Sequence, residues 1–533
     1  MAGEYRHASN EVELAVLRYL LDPTLYTQAT FWLRTGARSK VIHRLFLLTA
    51  LRLILDESFA QGTQREEDPL PHRTGELLLK LNDVLDPDYA KQSRRASPAG
   101  LQDLVLAALF RYGFFYQSDN LGSAIGRSWA FYEVGLDEAT KVLGESGFDF
   151  RTVFESSFGF TVREMLALGF AFLGRYRKEP EDLMRDPASF AIGPSYYRQL
   201  TERMRTLVPI MLTQLGRTWG EHSAAMTAAA KDAPDNLLQV FSLYDHPLLS
   251  LDGSEYFMID RDFLEAAVVD GPFWKLAGLL IEENKGEYPR LLAAHAKAFE
   301  WYVARLLEDY ATVDGVRVAW TEWFGTLKRL ETRKSVDALV RDGSTLYFIE
   351  ITTSGISPKV AVSGEWNGIE NKLSDVWFSE EKGKGRGKLR QIAKAIDAFK
   401  EGALKVEGLS LSEIEHYVPV LVTLRHLPQH KMLRVRYREL WAKNGLPEDF
   451  ISRATLLDIG ELECLLGGVG GVQGWNRVFE DAKTLQIGSG SMNDYLVAKG
   501  LDKTRPARLE AWTREAGEVF HSLLFPPGSA SEQ

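Results

Sequence analysis

Ser335–Thr353, SVDALVRDGSTLYFIEITT, reads as two strands around a tight turn. Ser335–Val340 and Thr345–Thr353 are strand-like, and an Asp-Gly pair, Asp342-Gly343, lies between them, the preferred centre of a two-residue hairpin turn. With that pair at the turn, Asp337 falls opposite Phe348. Side chains alternate along a strand, so Asp337 shares a face with Phe348, Glu350 and Thr352. The other face carries Val336, Ala338, Val340, Tyr347, Ile349 and Ile351 and is apolar throughout. Asp337 and Glu350 are then diagonal neighbours about 7–8 Å apart, close enough to reach one ion. Two carboxylates projecting together repel one another unless a positive group sits between them. A hard divalent cation such as Mg²⁺, with Mn²⁺ as its substitute, meets that need with oxygen ligands. The plain alternative is an exposed hairpin face bearing two solvated acids.

Around the hairpin the pattern mixes helices with short strands, the mark of an α/β domain. Ala293–Tyr310 reads as a helix and Arg317–Phe324 as a strand. Leu389–Glu401 follows as a helix, then Tyr417–Leu424, Met432–Tyr437 and Ala454–Ile459 as strands. Glu300 interrupts the first helix between Phe299 and Trp301.

A helix with a glutamate, a strand, a hairpin with aspartate then glutamate, and a helix with Lys388, Arg390 and Gln391 follow one another in that order. This resembles the PD-(D/E)xK nuclease superfamily, over roughly residues 291–460. The resemblance implies a restriction-endonuclease-like α/β domain that hydrolyses phosphodiesters with Mg²⁺. It matches Asp337 to the metal-binding aspartate, Glu350 to the acid of the E-x-K element, Glu300 to a helical glutamate that completes the site in some members, and Gln391 to a glutamine on the following helix. Thr352 stands where the family's catalytic lysine is expected. A threonine donates a hydrogen bond but supplies no charge, whereas an ammonium positions the nucleophile and stabilises a phosphoryl group. Lys388 is the nearest substitute, followed by Lys372 and Lys359.

Two basic stretches fall inside the same region. Lys382–Lys394, KGKGRGKLRQIAK, holds six cations and no acid, its first part alternating with glycine. Lys382, Lys384, Arg386, Lys388 and Arg390 there are candidate phosphate contacts. Arg434, Arg436 and Arg438 alternate at strand period, which predicts three guanidinium groups on one face. A mobile solvated loop and an aggregation-blocking edge strand are the plain alternatives. Phosphate-loop motifs are excluded: GKGRGK is followed by Leu389, and the glycines at 467–471 do not give G-x-G-x-x-G. His426 and His430 are separated by Pro428, which argues against a helical metal face.

Residues 1–245 read as almost entirely helical, with apolar residues at three- and four-residue spacing in Asn10–Leu21, Ser39–Ser58, Leu101–Phe115, Val162–Arg175 and Tyr196–Leu215. They contain no chemical motif. The expected organisation is this all-α region, a connector over 246–290, the α/β domain over 291–460 and a helical extension over 461–533. A chain of 533 residues favours several domains. With 63 Lys and Arg against 73 Asp and Glu, net −10, no global basic field announces nucleic acid. A single cysteine, Cys464, excludes an internal disulfide framework. The start, MAGEYRHASNEVELAV, lacks a secretory pattern, and Val41–Leu55 is broken by His43, Arg44 and Arg52. A cytoplasmic protein without a membrane partner is the expectation.

Three functions follow as expectations. The first is a Mg²⁺-dependent endonuclease acting on double-stranded DNA, an effector of prokaryotic anti-phage or restriction-like defence. The resemblance implies that its helical half senses a trigger or recruits a protein partner, and cutting both strands fits a homo-oligomer. The second is a catalytically inactive nuclease fold that binds nucleic acid or a partner. The third makes the helical half the main actor.

Overall fold

The computed structural model describes 103, 105–107, 110, 121–175, 191–232, 241–250, 252–309, 317–320, 336–357, 360–361, 365–379, 387–404, 409–468, 474–484 and 492–526. Asn10–Leu21, Ser39–Ser58 and most of Leu101–Phe115 lie outside these residues. Helix dominates the described residues, accompanied by two mixed sheets. Among them no single helix is long and apolar enough to cross a membrane.

The described residues fall into two compact units that interleave along the chain. One draws on Arg151–Gly278 and Gly517–Gln533, the other on Gln102–Phe150 and Leu279–Ala516. The expected boundaries at 245, 290 and 460 follow sequence order; the contacts cut across it.

In the first unit, Thr161 and Glu164 start the helix Val162–Arg175 with reciprocal bonds. The Thr161 N–H donates to Glu164 Oε2 at 2.8 Å, and the Glu164 N–H donates to Thr161 Oγ1 at 3.1 Å. The expected helix Tyr196–Leu215 is two helices, Pro194–Tyr197 and Glu202–Leu215. Thr201 separates them because its side chain caps the second by accepting from the Met204 N–H. Thr201 Oγ1 also donates to the Leu523 carbonyl at 2.7 Å, which ties in the C-terminal helix. A small sheet of β1 (Gly216–Thr218), β2 (Leu248–Ser250) and β3 (Tyr256–Met258) completes the unit, so residues 1–245 are not purely helical.

The second unit carries a five-stranded sheet in the order β4 (Arg317–Trp320), β5 (Ala338–Asp342), β6 (Thr345–Thr352), β7 (His416–Thr423) and β8 (Thr455–Asp458). The β4–β5 and β5–β6 pairs are antiparallel, and the β6–β7 and β7–β8 pairs parallel. Its labelled helices are α1 (Leu121–Trp129), α2 (Tyr288–Glu308), α3 (Trp366–Phe378), α4 (Lys388–Lys400), α5 (Lys431–Lys443), α6 (Ile459–Gly468), α7 (Trp475–Thr484) and α8 (Met492–Lys499).

Every residue of β6 is buried, because both sheet faces are covered. Phe399 of α4 meets Phe348 on one face, with ring centroids 5.9 Å apart. Trp475 and Phe479 of α7 meet Tyr347 on the other, at 5.2 and 5.4 Å. Within this unit Arg127 of α1 makes a forked ion pair with Glu463 of α6, Nε to Oε1 at 2.7 Å and Nη2 to Oε2 at 2.9 Å. The Tyr302 hydroxyl donates to the same Glu463 Oε1 at 2.8 Å. Those hydrogen bonds offset part of the cost of burying the pair.

The hairpin forms with a changed register. Asp342 pairs with Thr345 and Ala338 with Ile349, so the turn residues are Gly343 and Ser344, not Asp342 and Gly343. Gly343 takes φ +60° at the first turn position, the conformation that the primed hairpin turns require. The shift is two residues in pairing, which keeps every side chain on its expected face.

Met432–Tyr437, expected as a strand, lies within helix α5. Leu433, Tyr437, Leu440 and Trp441 are buried at helical spacing, and that apolar stripe outweighs the alternating arginines. His430 caps the helix, its ring accepting from the Met432 N–H.

Candidate active site

Continuing the register by one pair sets Asp337, the residue before β5, across from Glu350. The Asp337 carboxylate reaches to β6, where Oδ2 accepts from the Ile351 N–H at 2.8 Å. Glu350 is only 2% exposed, which is not the solvated acid of an open hairpin face.

The positive partner comes from α4. Lys388 Nζ lies 2.7 Å from Glu350 Oε2 and 3.5 Å from Asp337 Oδ2. Lys388 is the first residue of α4, and the preceding Gly387 donates its N–H to the Ser379 carbonyl just after α3 at 2.6 Å. The close end-to-start approach of the two helices therefore sets where the ammonium projects. Burial alone would lower the Lys388 ammonium; the Asp337 and Glu350 charges outweigh it and hold it above its ordinary range. Glu350 is pushed well above the usual carboxylate range, first by burial and then by the Asp337 charge, despite the opposing ammonium.

Glu300 belongs to the same field. It lies on α2 with Lys297 one turn earlier, Nζ to Oε2 at 2.6 Å. Its carboxyl is pushed up to about 7, by burial first and then by the Asp337 charge, with Lys297 and Lys388 opposing. Gln391 is three residues after Lys388 on α4, hence on the same side of that helix. Its Oε1 is buried and has no hydrogen-bond partner among the described residues.

Thr352 is buried on the Glu350 side of β6, and its hydroxyl accepts from the Ser354 N–H at 3.0 Å. It supplies no charge; the ammonium beside Glu350 belongs to Lys388. Lys372 is exposed on α3, and Lys359 lies outside the described residues.

The expected nucleic-acid residues separate into different settings. Lys382, Lys384 and Arg386 lie outside the described residues. Lys388 is engaged by the carboxylates, and Arg390 Nη2 donates to the Asn444 carbonyl at 3.4 Å. Arg434, Arg436 and Arg438 do not share one face, because helix α5 turns Arg436 away from the other two. Arg436 pairs with Glu370 at 3.2 Å and Glu439 at 2.9 Å.

One pair escaped the sequence reading. His426 Nδ1 lies 2.6 Å from Asp458 Oδ2 at the carboxyl ends of β7 and β8. Thr352, Thr423 and Asp458 occupy one row of the parallel register, so Asp458 lies on the Glu350 face, two strands away. The available signal was Asp458-x-x-Glu461. The Glu461 N–H donates to Asp458 Oδ1 at 2.8 Å and the Asp458 N–H to Glu461 Oε2 at 2.9 Å, a capping box at the start of α6.

Comparison with family models, curated proteins and solved structures returns no match. Among the described residues, no group of three or more His, Cys, Asp or Glu side chains is gathered so as to hold a metal ion. The donor chemistry nonetheless suits a hard cation. Burial first, and the Asp337 charge after it, keep Glu300 and Glu350 raised although lysines stand at 2.6 and 2.7 Å, and a bound cation would favour their ionised forms.

Proposed function

We propose that this protein hydrolyses phosphodiester bonds of nucleic acid in a Mg²⁺-dependent reaction, acting as an endonuclease on double-stranded DNA. The observation that carries the proposal is the meeting of Lys388 with Asp337 and Glu350 near the carboxyl end of the central strand β6. These three side chains supply the acid, acid and ammonium that the PD-(D/E)xK resemblance calls for, with the lysine moved from β6 to α4.

Asp337 and Glu350 would hold Mg²⁺, with Glu300 completing the set. When bound, the ion supplies Lewis acidity and neutralises charge at a phosphoryl group. Lys388 keeps an ammonium beside the carboxylates over the whole physiological range, where it orients an attacking water and offers a positive charge to the phosphate. Glu300, pushed up to about 7 in the metal-free chain, would give up its proton on joining that set. The Ile351 N–H holds the Asp337 carboxylate against β6, so the acid does not have to be ordered when substrate arrives. A role as effector in restriction-like or anti-phage defence, with the remaining helical part sensing a trigger, follows from the resemblance.

The second reading, a nuclease fold that binds nucleic acid without cutting it, is favoured by one observation: the acids are already bridged by Lys388. Plasmid DNA incubated with the protein and Mg²⁺, beside an EDTA control and Glu350→Ala, separates the two. Cleavage lost in both controls supports hydrolysis. Salt-sensitive binding without cleavage under Mg²⁺ and Mn²⁺ supports the second reading.

A further inference from the structure

The carboxyl ends of β6, β7 and β8 hold a second pair of ionisable groups, distinct from Asp337, Glu350 and Lys388. The Leu424 N–H donates to the Thr352 carbonyl at 3.1 Å, so the chain leaves β7 beside the residue two positions after Glu350. Thr423 Oγ1 then donates to the Arg425 carbonyl at 2.8 Å, and Gln429 Nε2 donates to the Leu456 carbonyl of β8 at 3.0 Å. Both ends of the connection from β7 to α5 are thereby pinned, with His426 between them. Its Nδ1 lies 2.6 Å from Asp458 Oδ2, and 20% of its side chain is open to solvent.

Asp458 holds that ring in one state. Its Oδ1 accepts from the Glu461 N–H, which leaves Oδ2 to the imidazole. Burial alone would raise the Asp458 carboxyl; the His426 contact outweighs burial and holds it below its ordinary range. An ionised acceptor requires the hydrogen on Nδ1, so Nε2 is the nitrogen that exchanges a proton. A carboxylate behind an imidazole fixes its tautomer and orientation in this way.

The placement gives the pair a task. Thr352, Thr423 and Asp458 share one register row, so the Asp458 backbone lies about 10 Å from that of Thr352 at the usual strand spacing. A phosphodiester seated over the ends of β6 and β7 would have the Lys388 ammonium on one flank and the imidazole on the other. In-line displacement puts the attacking and leaving oxygens on opposite sides of phosphorus. With Lys388 on the side of the water, the departing sugar oxygen needs a proton from elsewhere. Asp337 and Glu350 would be holding the cation, and an ammonium held above its ordinary range parts with a proton poorly.

We propose that His426 is the general acid of the cleavage reaction, passing a proton from Nε2 to the departing sugar oxygen, with Asp458 as its positioning residue. The proposal rests on the cleavage reading. The water oxygen bonds to phosphorus and releases one proton to solvent. The bond from phosphorus to the sugar oxygen breaks, its electron pair stays on that oxygen, and the oxygen takes the Nε2 proton. The neutral imidazole then regains a proton from solvent.

Two duplexes test this with the full chain: an unmodified one, and one with sulfur replacing the leaving oxygen at the link that the unaltered protein cuts. A thiolate departs without being protonated, because a thiol is far more acidic than an alcohol. His426→Gln should slow cleavage of the unmodified duplex about 100-fold and that of the sulfur-linked duplex by no more than about threefold. Asp458→Asn should slow the unmodified duplex at least about tenfold, again sparing the sulfur link. Glu350→Ala should slow both duplexes alike. The ratio of the two rates is read within each preparation, so a partly unfolded variant does not distort it. Equal slowing of both links by His426→Gln, or slowing of neither, overturns the proposal and leaves the cleavage reading standing. No cutting of either duplex by the unaltered protein removes the cleavage reading, and this proposal with it.

Discussion

A Cβ placed on Gly387 would lie 2.4 Å from the backbone of Phe378, closer than any real side chain sits. Phe378 ends α3 and Gly387 precedes α4, so this contact sets where Lys388 leaves the helix. Gly387→Ala should therefore displace the ammonium and destabilise the fold by about 1–3 kcal/mol, as overpacking does. Thermal unfolding and plasmid cleavage measured together check this. An unchanged melting temperature with unchanged cleavage would show that the approach is not needed.

Lys388→Met leaves the buried Glu350 and the half-buried Asp337 with no ammonium between them. Cleavage should fall by about 10²–10³, the usual loss for one charged or hydrogen-bonding stabiliser of a transition state. Adding Thr352→Lys to that variant returns a lysine to the Glu350 face of β6 and should restore part of the rate. Rates of supercoiled-plasmid nicking for the single and double variants decide the point, and no recovery would count against exchange between the two positions.

Glu300 gives the stability a pH dependence of unusual sign. A carboxyl raised from its ordinary value to about 7 binds its proton more tightly in the folded chain than in the unfolded one. Its contribution is then fully present below the ordinary glutamate range and is lost as pH rises to about 7. The loss is on the order of 3 kcal/mol for a single such group. Urea unfolding between pH 4.5 and 7.5 should show Glu300→Gln flattening that fall. Parallel profiles for the two proteins would contradict it.

Mg²⁺ should lower the raised carboxyls by supplying the missing charge. At pH 6 its binding should release protons, seen as a dependence of calorimetric heat on the buffer's ionisation enthalpy, and should raise the melting temperature. Glu350→Ala should abolish both effects. If the heats are the same in all buffers, the cation does not engage these acids.

Glu463→Ala leaves the Arg127 guanidinium buried without its forked partner. A cost of about 3–5 kcal/mol is expected, with loss of cooperative unfolding in the sheet-bearing unit. Replacing Arg127 by Met as well should recover part of that cost, because the stranded charge is removed. Equilibrium denaturation of the two variants provides the comparison.

The hairpin was legible because Ser335–Thr353 alternates apolar and polar residues around a turn pair. That pattern set which face each residue takes, and the faces survived although the pairing shifted by two residues. The shift was hidden because Asp342-Gly343 and Gly343-Ser344 both offer good turn chemistry; the structure places glycine at the first turn position. Lys388 was legible only as a candidate, since a residue in a later helix is brought to Glu350 by packing rather than spacing. The arginines at 434, 436 and 438 misled because their alternation is a strand signal in polar residues, whereas burial follows Leu433, Tyr437, Leu440 and Trp441. His426 and Asp458 meet through the parallel register of β7 and β8, which no local pattern encodes.

The interleaving of the units bears on how this protein can be dissected. A fragment beginning at 291 would keep all five strands yet forfeit the early segment whose guanidinium neutralises Glu463. Inactivity of such a fragment would report a missing structural buttress and not a missing regulator. Separable expression requires excising the intervening stretch and rejoining the flanks, rather than cutting once.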